Sequence, residues 1–332
     1  MTPIRFASTS PSLMAEKVVI CGAGFIGKQI ARTLTRSQKL NFCVQLSSRH
    51  PQKSYDQLKE SIPCGTLLSP VSVDVRDMSS LAAAFEKSSL VISLIGIMHG
   101  SPKDFEDIQW RGASNVAKAA QSVGAKLVHF SSIGADPSSS IPYTRTKGLG
   151  EISVLEHCPS ATVIRPSLVF GPEDDFFNRF SRLSQLLPFL PVFGGGTSRF
   201  QPVYVEDLAR AVEIIATADT QVKKEVYGKI IEAGGPDVFT YRELMSLVLK
   251  YNGRHRPIVS LPFFVGQVQG FFLEKLPFNM FTVTRAQIEQ LKSDNVVQDV
   301  EGSLNFVSFE KLLRTYCEPP RSVHDVLPGY LR

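Results

Sequence analysis

Tyr143 and Lys147 stand four residues apart in Tyr-Thr-Arg-Thr-Lys. On a helix, positions i and i+4 share a face, so the phenol and the ammonium can converge on one point. The chemistry open to such a pair is proton transfer to a carbonyl held within hydrogen-bond reach of the phenol. Ser131 and Ser132 follow an apolar run at 126–130 and are the nearest hydroxyl candidates to join them. If that run is a strand, alternation points the two serines to opposite sides, so only one of them can face the tyrosine.

A second constellation lies near the N-terminus, where Val-Val-Ile-Cys runs straight into Gly22-Ala23-Gly24-Phe25-Ile26-Gly27 and then an amphipathic stretch. In a strand-turn-helix setting these glycines let the backbone approach a pyrophosphate, whose charge is stabilised by the free N–H groups of the helix start. Gly22, Gly24, Phe25, Ile26 and Gly27 are therefore the expected phosphate contacts. A site for NAD usually offers an acid about 20 positions further on. Here the second strand ends in Ser47-Ser48-Arg49-His50, with no acid. Arg49, with Ser47 or Ser48 beside it, suits the 2′-phosphate of NADPH, which is expected in preference to NADH. Asp74, at the end of the third strand, is placed to accept from the adenine amino group.

The elements that must position these residues follow from the hydropathy pattern. Short apolar runs at 18–21, 42–47, 71–75, 90–95, 126–130 and 162–164 alternate with helical stretches at 25–35, 81–87, 105–122 and 143–156. Ile26, Ile30 and Leu34 give the first helix one apolar stripe to lay on a sheet. The strands read as near-continuous apolar runs, as expected when helices cover both faces. After Pro166 the chain turns Pro- and Gly-rich. The expected fold class is α/β, a Rossmann doubly wound parallel sheet with a smaller C-terminal α/β lobe. Its expected divisions are 1–16, 17–167 and 168–332, the last a substrate or partner lobe completing the same unit.

Bulk composition narrows the setting. The chain has 332 residues, 43% of them hydrophobic, enough for a full core. Its 36 basic and 31 acidic side chains include no Lys/Arg block of the kind that grips nucleic acid. Five cysteines, with no C-x-x-C pair, argue against a disulfide framework and a structural zinc site, so no metal is expected. The first residues hold Arg5 and five Ser/Thr with no acid before Glu16, a composition suited to a mitochondrial targeting segment over 1–16.

With Asn115, His129-Phe-Ser-Ser132, Arg165-Pro-Ser-Leu-Val-Phe-Gly-Pro172 and Pro202-Val-Tyr-Val-Glu-Asp207, these motifs resemble the extended or atypical short-chain dehydrogenase/reductase family. The resemblance implies that Lys147 binds the nicotinamide ribose and lowers the pKa of Tyr143, that Tyr143 transfers the proton and that a serine orients the substrate. It also puts Pro166 among the cofactor contacts. Ser132 is the serine carried over, yet Ile133 occupies a place where the family often has a third hydroxyl. Cys21 likewise stands where the commoner glycine spacing begins.

Within that family the chain is similar to the atypical members associated with respiratory complex I and their bacterial relatives, through residues 165–180, 201–207 and 283–297. What this implies is an NADPH-holding accessory subunit, or an assembly or stability factor, on the matrix side of the mitochondrial inner membrane. A cousin group linked to ubiquinone biosynthesis leaves a second partner assembly open, as does an active NADP-dependent reductase on a hydrophobic carbonyl. Nucleotide-sugar epimerisation is the remote alternative, with Arg179, Arg182 and Arg199 available for a diphosphate. The apolar segment 261–278 falls short of the ~20 residues a span needs. It is expected to lie in the lipid interface, line a cleft or pack as a core helix.

Overall fold

The computed structural model describes residues 15–274, 279–298 and 305–331, so the expected leader lies almost wholly outside the described residues. Six strands and six helices form the half that carries the motifs. They are β1 (Glu16–Cys21), α1 (Phe25–Thr35), β2 (Phe42–Ser48), α2 (Gln52–Lys59), β3 (Val71–Ser72), α3 (Met78–Phe85), β4 (Leu90–Ser93), α4 (Pro102–Phe105), α5 (Gly112–Ser122), β5 (Lys126–Phe130), α6 (Pro142–His157) and β6 (Thr162–Pro166). Between α4 and α5 runs a π-helical turn, Glu106–Arg111.

The main sheet has eight strands, all paired in parallel, and its order runs from Phe306–Ser308 through Ile230–Ala233 to β6-β5-β4-β1-β2-β3. The strand order reverses between β1 and β4, and open α/β sheets bind ligands in the crevice beyond the strand ends at such a point. Helices cover both faces. Val18 and Ile20 of β1 pack with Ile30 and Leu34 of α1 and with helix Val205–Ala216. Val19 and Cys21 face Leu81, Val116 and Val154 from α3, α5 and α6. This two-sided burial is why the strands carry unbroken apolar runs.

Several boundaries differ from the sequence pattern for local reasons. The run at 71–75 pairs only through Val71 and Ser72, after which the chain turns at Asp74. The third helix starts three residues before 81 because Asp77 accepts the Ser79 N–H as N-cap, and it stops at Phe85 ahead of Lys87 at φ 59°. The expected helix 105–122 opens earlier, at a Ser101/Asp104 capping box, and is broken by the π turn.

Beyond residue 167 the chain does two things. It adds Ile230–Ala233 and Phe306–Ser308 to the main sheet, and it builds a separate cluster around Phe170, Phe177, Tyr204 and Tyr241. Glu173 joins that cluster's edge to α1 by pairing with both Lys28 and Arg32. Among the described residues no helix is long and apolar enough to cross a membrane.

Candidate functional site

The three glycines of the turn answer to different constraints. Gly22 sits at φ +128°, and a Cβ there would come within 2.8 Å of Leu94 Cβ. A Cβ on Gly27 would lie 2.1 Å from the Gly22 carbonyl oxygen. Both are fixed by the protein's own packing. Gly24 has φ −82°, and a Cβ added there would have no neighbour within 4 Å. Neither backbone nor neighbours require glycine at that position; what it preserves is open space at the start of α1. That helix has no side-chain cap and no acid in its first turn, so its leading N–H groups face that space uncommitted. An anion such as a pyrophosphate fits them. Phe25 and Ile26 contribute backbone to this cradle while their side chains pack against the C-terminal cluster.

The place where the adenosine end is expected is a small cavity lined by Gly22, Ser47, Ser48, Arg49, Asp74 and Arg76, with Leu94 to Ile97 behind. Register puts Ser47 and Ser48 beside Val71 and Ser72, so the ends of β2 and β3 share one mouth. Ser47 Oγ is buried without a hydrogen-bond partner, and such an atom in a cavity wall invites a ligand hydroxyl or phosphate. Arg49 is exposed. Asp74 is in the cavity, but its carboxylate is engaged by Arg76, whose Nε donates to Oδ1 at 2.9 Å. Those bonds lower its pKa to about 2. Arg76 is not legible in the sequence as a site residue, because only the return of the chain after β3 brings it here.

At the expected nicotinamide end, Pro142 opens α6 and puts Tyr143 in its first turn. Lys147 is buried, and its Nζ donates to the carbonyls of Ile95 at 2.9 Å and Phe130 at 3.1 Å. Burial lowers the ammonium to about 8, against the opposing pull of Glu151. Tyr143 lies near Ser132; burial raises its phenol and the neighbouring hydroxyl opposes the rise. The resemblance implies a lowering of Tyr143 by Lys147; here the phenol is raised, and burial is the cause. Ser131 Oγ is buried without a partner, while Ser132 is the serine whose hydroxyl influences the tyrosine. Ile133 is buried and donates its N–H to the carbonyl of Pro166, itself buried at the end of β6.

Gln109 is a residue the sequence pattern does not single out. It lies in the π turn, fully enclosed, donating Nε2 to Thr146 Oγ1 at 3.0 Å and accepting the Ile97 N–H at 3.3 Å. A Cβ on Gly96 would sit 3.3 Å from Lys147 Nζ and 3.4 Å from Gln109 Oε1. A glutamine in an amphipathic run gives no sequence signal; the π turn re-aims it.

Beside Tyr143, whose ring meets Phe105 edge-on at 6.4 Å, opens a cleft of about 720 Å³. Met98, Phe105 and Ile141 form one side; Gln267, Leu273, Arg285 and Glu289 form the other. Helix Phe263–Leu273 thus lines a cleft instead of filling a core. It packs through Gly266 and Gly270, leaving Phe264, Val268, Phe271 and Phe272 between 44% and 68% exposed. The rest of the expected segment, at 275–278, lies outside the described residues. Arg179 and Arg199, candidates for a diphosphate, are engaged by the carbonyls of Met280 and Thr282 and by Asp294.

A family model described as the NAD dependent epimerase/dehydratase family matches residues 18–228. A mitochondrial protein of Arabidopsis thaliana named NADH dehydrogenase [ubiquinone] 1 alpha subcomplex subunit 9 is 33% identical over 293 residues, 85% of this chain and 70% of that protein. A ceramide reductase of Caulobacter vibrioides is 28% identical over 248 residues, 74% of this chain and 73% of its own. Among solved structures, the dTDP-glucose 4,6-dehydratase of Streptomyces venezuelae with NAD bound superposes with a TM-score of 0.67 at 17% identity, over 95% of this chain and 96% of that one. At that identity the likeness is one of fold.

Proposed function

Because this chain belongs to the NAD-dependent epimerase/dehydratase family, we propose that it is an NADPH-holding accessory subunit of mitochondrial complex I, or a factor for its assembly or stability. The match to the plant complex I subunit over 85% of the chain is the observation that carries this reading. Gly24 and the α1 N-terminus would take the pyrophosphate, Ser47 and Arg49 the 2′-phosphate, and Lys147 the nicotinamide ribose. The matrix side of the inner membrane is the proposed location. The exposed aromatic face of helix Phe263–Leu273 supports peripheral contact there, since an 11-residue helix can lie on a bilayer but not cross it. The test is a native gel of mitochondrial extract: the chain should co-migrate with complex I and release NADPH when the band is denatured. Normal complex I assembly and activity after its deletion would end this reading.

A second reading is favoured by the nearness of Ser132 to Tyr143 and by the cleft that opens beside the tyrosine: an NADP-dependent reductase on a hydrophobic carbonyl, such as an intermediate of ubiquinone biosynthesis. A bound NADPH would supply hydride. Ser132 and Tyr143 would hold the carbonyl oxygen, Tyr143 giving the proton, while Lys147 holds the nicotinamide ribose. Tyr143→Phe should then abolish turnover with NADPH affinity unchanged, and the native gel should place the chain in the smaller ubiquinone-synthesis assembly. Under the accessory reading Tyr143→Phe leaves complex I assembly intact.

A further inference from the structure

Residues 322–331 run across the C-terminal cluster and meet the loop Gly171–Asp174. Val323, Leu327 and Leu331 are buried in that cluster beside Phe170 and Phe177. Two polar contacts fasten the start of the segment: Ser322 Oγ donates to Asp237 Oδ2 at 2.6 Å, and the Tyr251 hydroxyl meets His324 Nδ1 at 2.8 Å. Further along, the Tyr330 hydroxyl donates to Asp174 Oδ2 at 2.5 Å. Asp174 is buried and also accepts from backbone: the Gly171 N–H on Oδ2 at 3.1 Å, and the Phe177 and Asn178 N–H groups on Oδ1 at 2.7 and 3.3 Å. One carboxylate thus shapes the loop and holds the segment to it.

The loop leans on the start of α1. A Cβ on Gly171 would lie 3.1 Å from Phe25 Cζ, so the loop backbone rests on the ring of the helix's first residue. Glu173 pairs with Lys28 in the first turn and, at 3.0 Å, with Arg32 in the next. The Lys28 N–H makes the first helical bond, onto the Gly24 carbonyl at 2.9 Å. Tyr330, Asp174, Gly171 and Phe25 therefore form a continuous line of contacts ending at the N–H groups that face the expected pyrophosphate. Groups that bind an anion must be held to within roughly 0.5 Å, and what packs behind them sets that position.

On the reading of this chain as a dinucleotide holder, we propose that segment 322–331 is a strap that sets the pyrophosphate helix, with Tyr330 as its positioning residue. Coupling of this kind is reciprocal. A loosened strap weakens the dinucleotide, and a bound dinucleotide tightens the strap. Occupancy of the site is thereby reported at a segment whose His324, Asp325, Pro328 and Gly329 are exposed.

The experiment uses the purified full-length protein. NADPH affinity is read from the nucleotide's own fluorescence for wild type, Tyr330→Phe and Val248→Ala, below the melting temperature of each. Tyr330→Phe should weaken NADPH roughly 3- to 10-fold, the scale of one hydrogen bond passed on in part. Val248→Ala opens a cavity in the same cluster but outside the strap; it should lower the melting temperature and leave the affinity within about twofold of wild type. Amide exchange across 322–331 should slow when NADPH is added to wild type, and slow less in Tyr330→Phe. Affinity within about twofold of wild type in Tyr330→Phe overturns the proposal, as does exchange that NADPH leaves unchanged. So does an equal loss of affinity in Val248→Ala, which would make Tyr330 a stabilising residue and nothing more. If wild type binds no NADPH, the dinucleotide reading itself falls, and the strap with it.

Discussion

Gly24 and Gly27 share one six-residue turn, and substitution should separate them. Gly24→Val meets no neighbouring atom, so the urea midpoint should stay at the wild-type value while NADPH affinity is lost. Gly27→Ala drives a methyl into the Gly22 carbonyl and should cost roughly 1–3 kcal/mol of stability even without nucleotide. His129 offers a test by pH. It is buried, hydrogen-bonded to Ser93 Oγ at 3.0 Å through Nδ1, and burial lowers its pKa from 6.5 to about 3. The unfolded chain therefore binds more protons between those values, so the neutral ring's contribution is full above pH 6.5 and is lost as pH falls toward 3. Urea titrations from about pH 7 to about pH 4 should show a steeper loss for wild type than for His129→Gln; parallel curves would contradict this. The residues legible in the sequence, Gly22 to Gly27 and the Tyr143/Lys147 pair, are those whose spacing makes a motif within a few neighbouring positions. Gln109 is not, because its role depends on Thr146, 37 residues further on, and Arg76 enters the cavity only through the turn of the chain after β3.

The elements are easier to read than their ends. Helix 25–35 and strand 126–130 match the structure residue for residue, since each is a single amphipathic or apolar run with clear breaks. The helix at 105–122 reads as continuous in the sequence because a π turn keeps helical composition while shifting the face that each later residue presents. Gln109→Leu tests what that shift is for. It strands the Ile97 N–H and removes the donor that Thr146 Oγ1 accepts, so unfolding free energy should fall by roughly 1–3 kcal/mol. Urea denaturation reads the loss directly, and a variant as stable as wild type would show that the buried amide holds nothing together.

At the scale of the whole molecule, the C-terminal half is legible as a lobe but not as a contributor to the sheet. Ile230–Ala233 and Phe306–Ser308 are short, and nothing local tells a four-residue strand which distant edge it will join. The aromatic face of helix Phe263–Leu273 carries its own prediction: Phe264→Ser with Phe272→Ser should reduce sedimentation with phospholipid vesicles several-fold while the melting temperature holds, because both rings are already exposed. Equal sedimentation of the variant would remove the case for membrane contact. The late arrival of the last two strands also bears on how the chain is made. As it leaves a ribosome or threads a translocation pore, β6 can pair with β5 as soon as both emerge, but its other edge, Thr-Val-Ile-Arg-Pro, waits some sixty residues for Ile230–Ala233. That second strand in turn waits for Phe306–Ser308. Until then the nascent protein carries an open, apolar sheet edge, the kind that pairs with other chains. A chain cut at residue 167 would keep that edge for good, and its fate should be aggregation or capture by a chaperone.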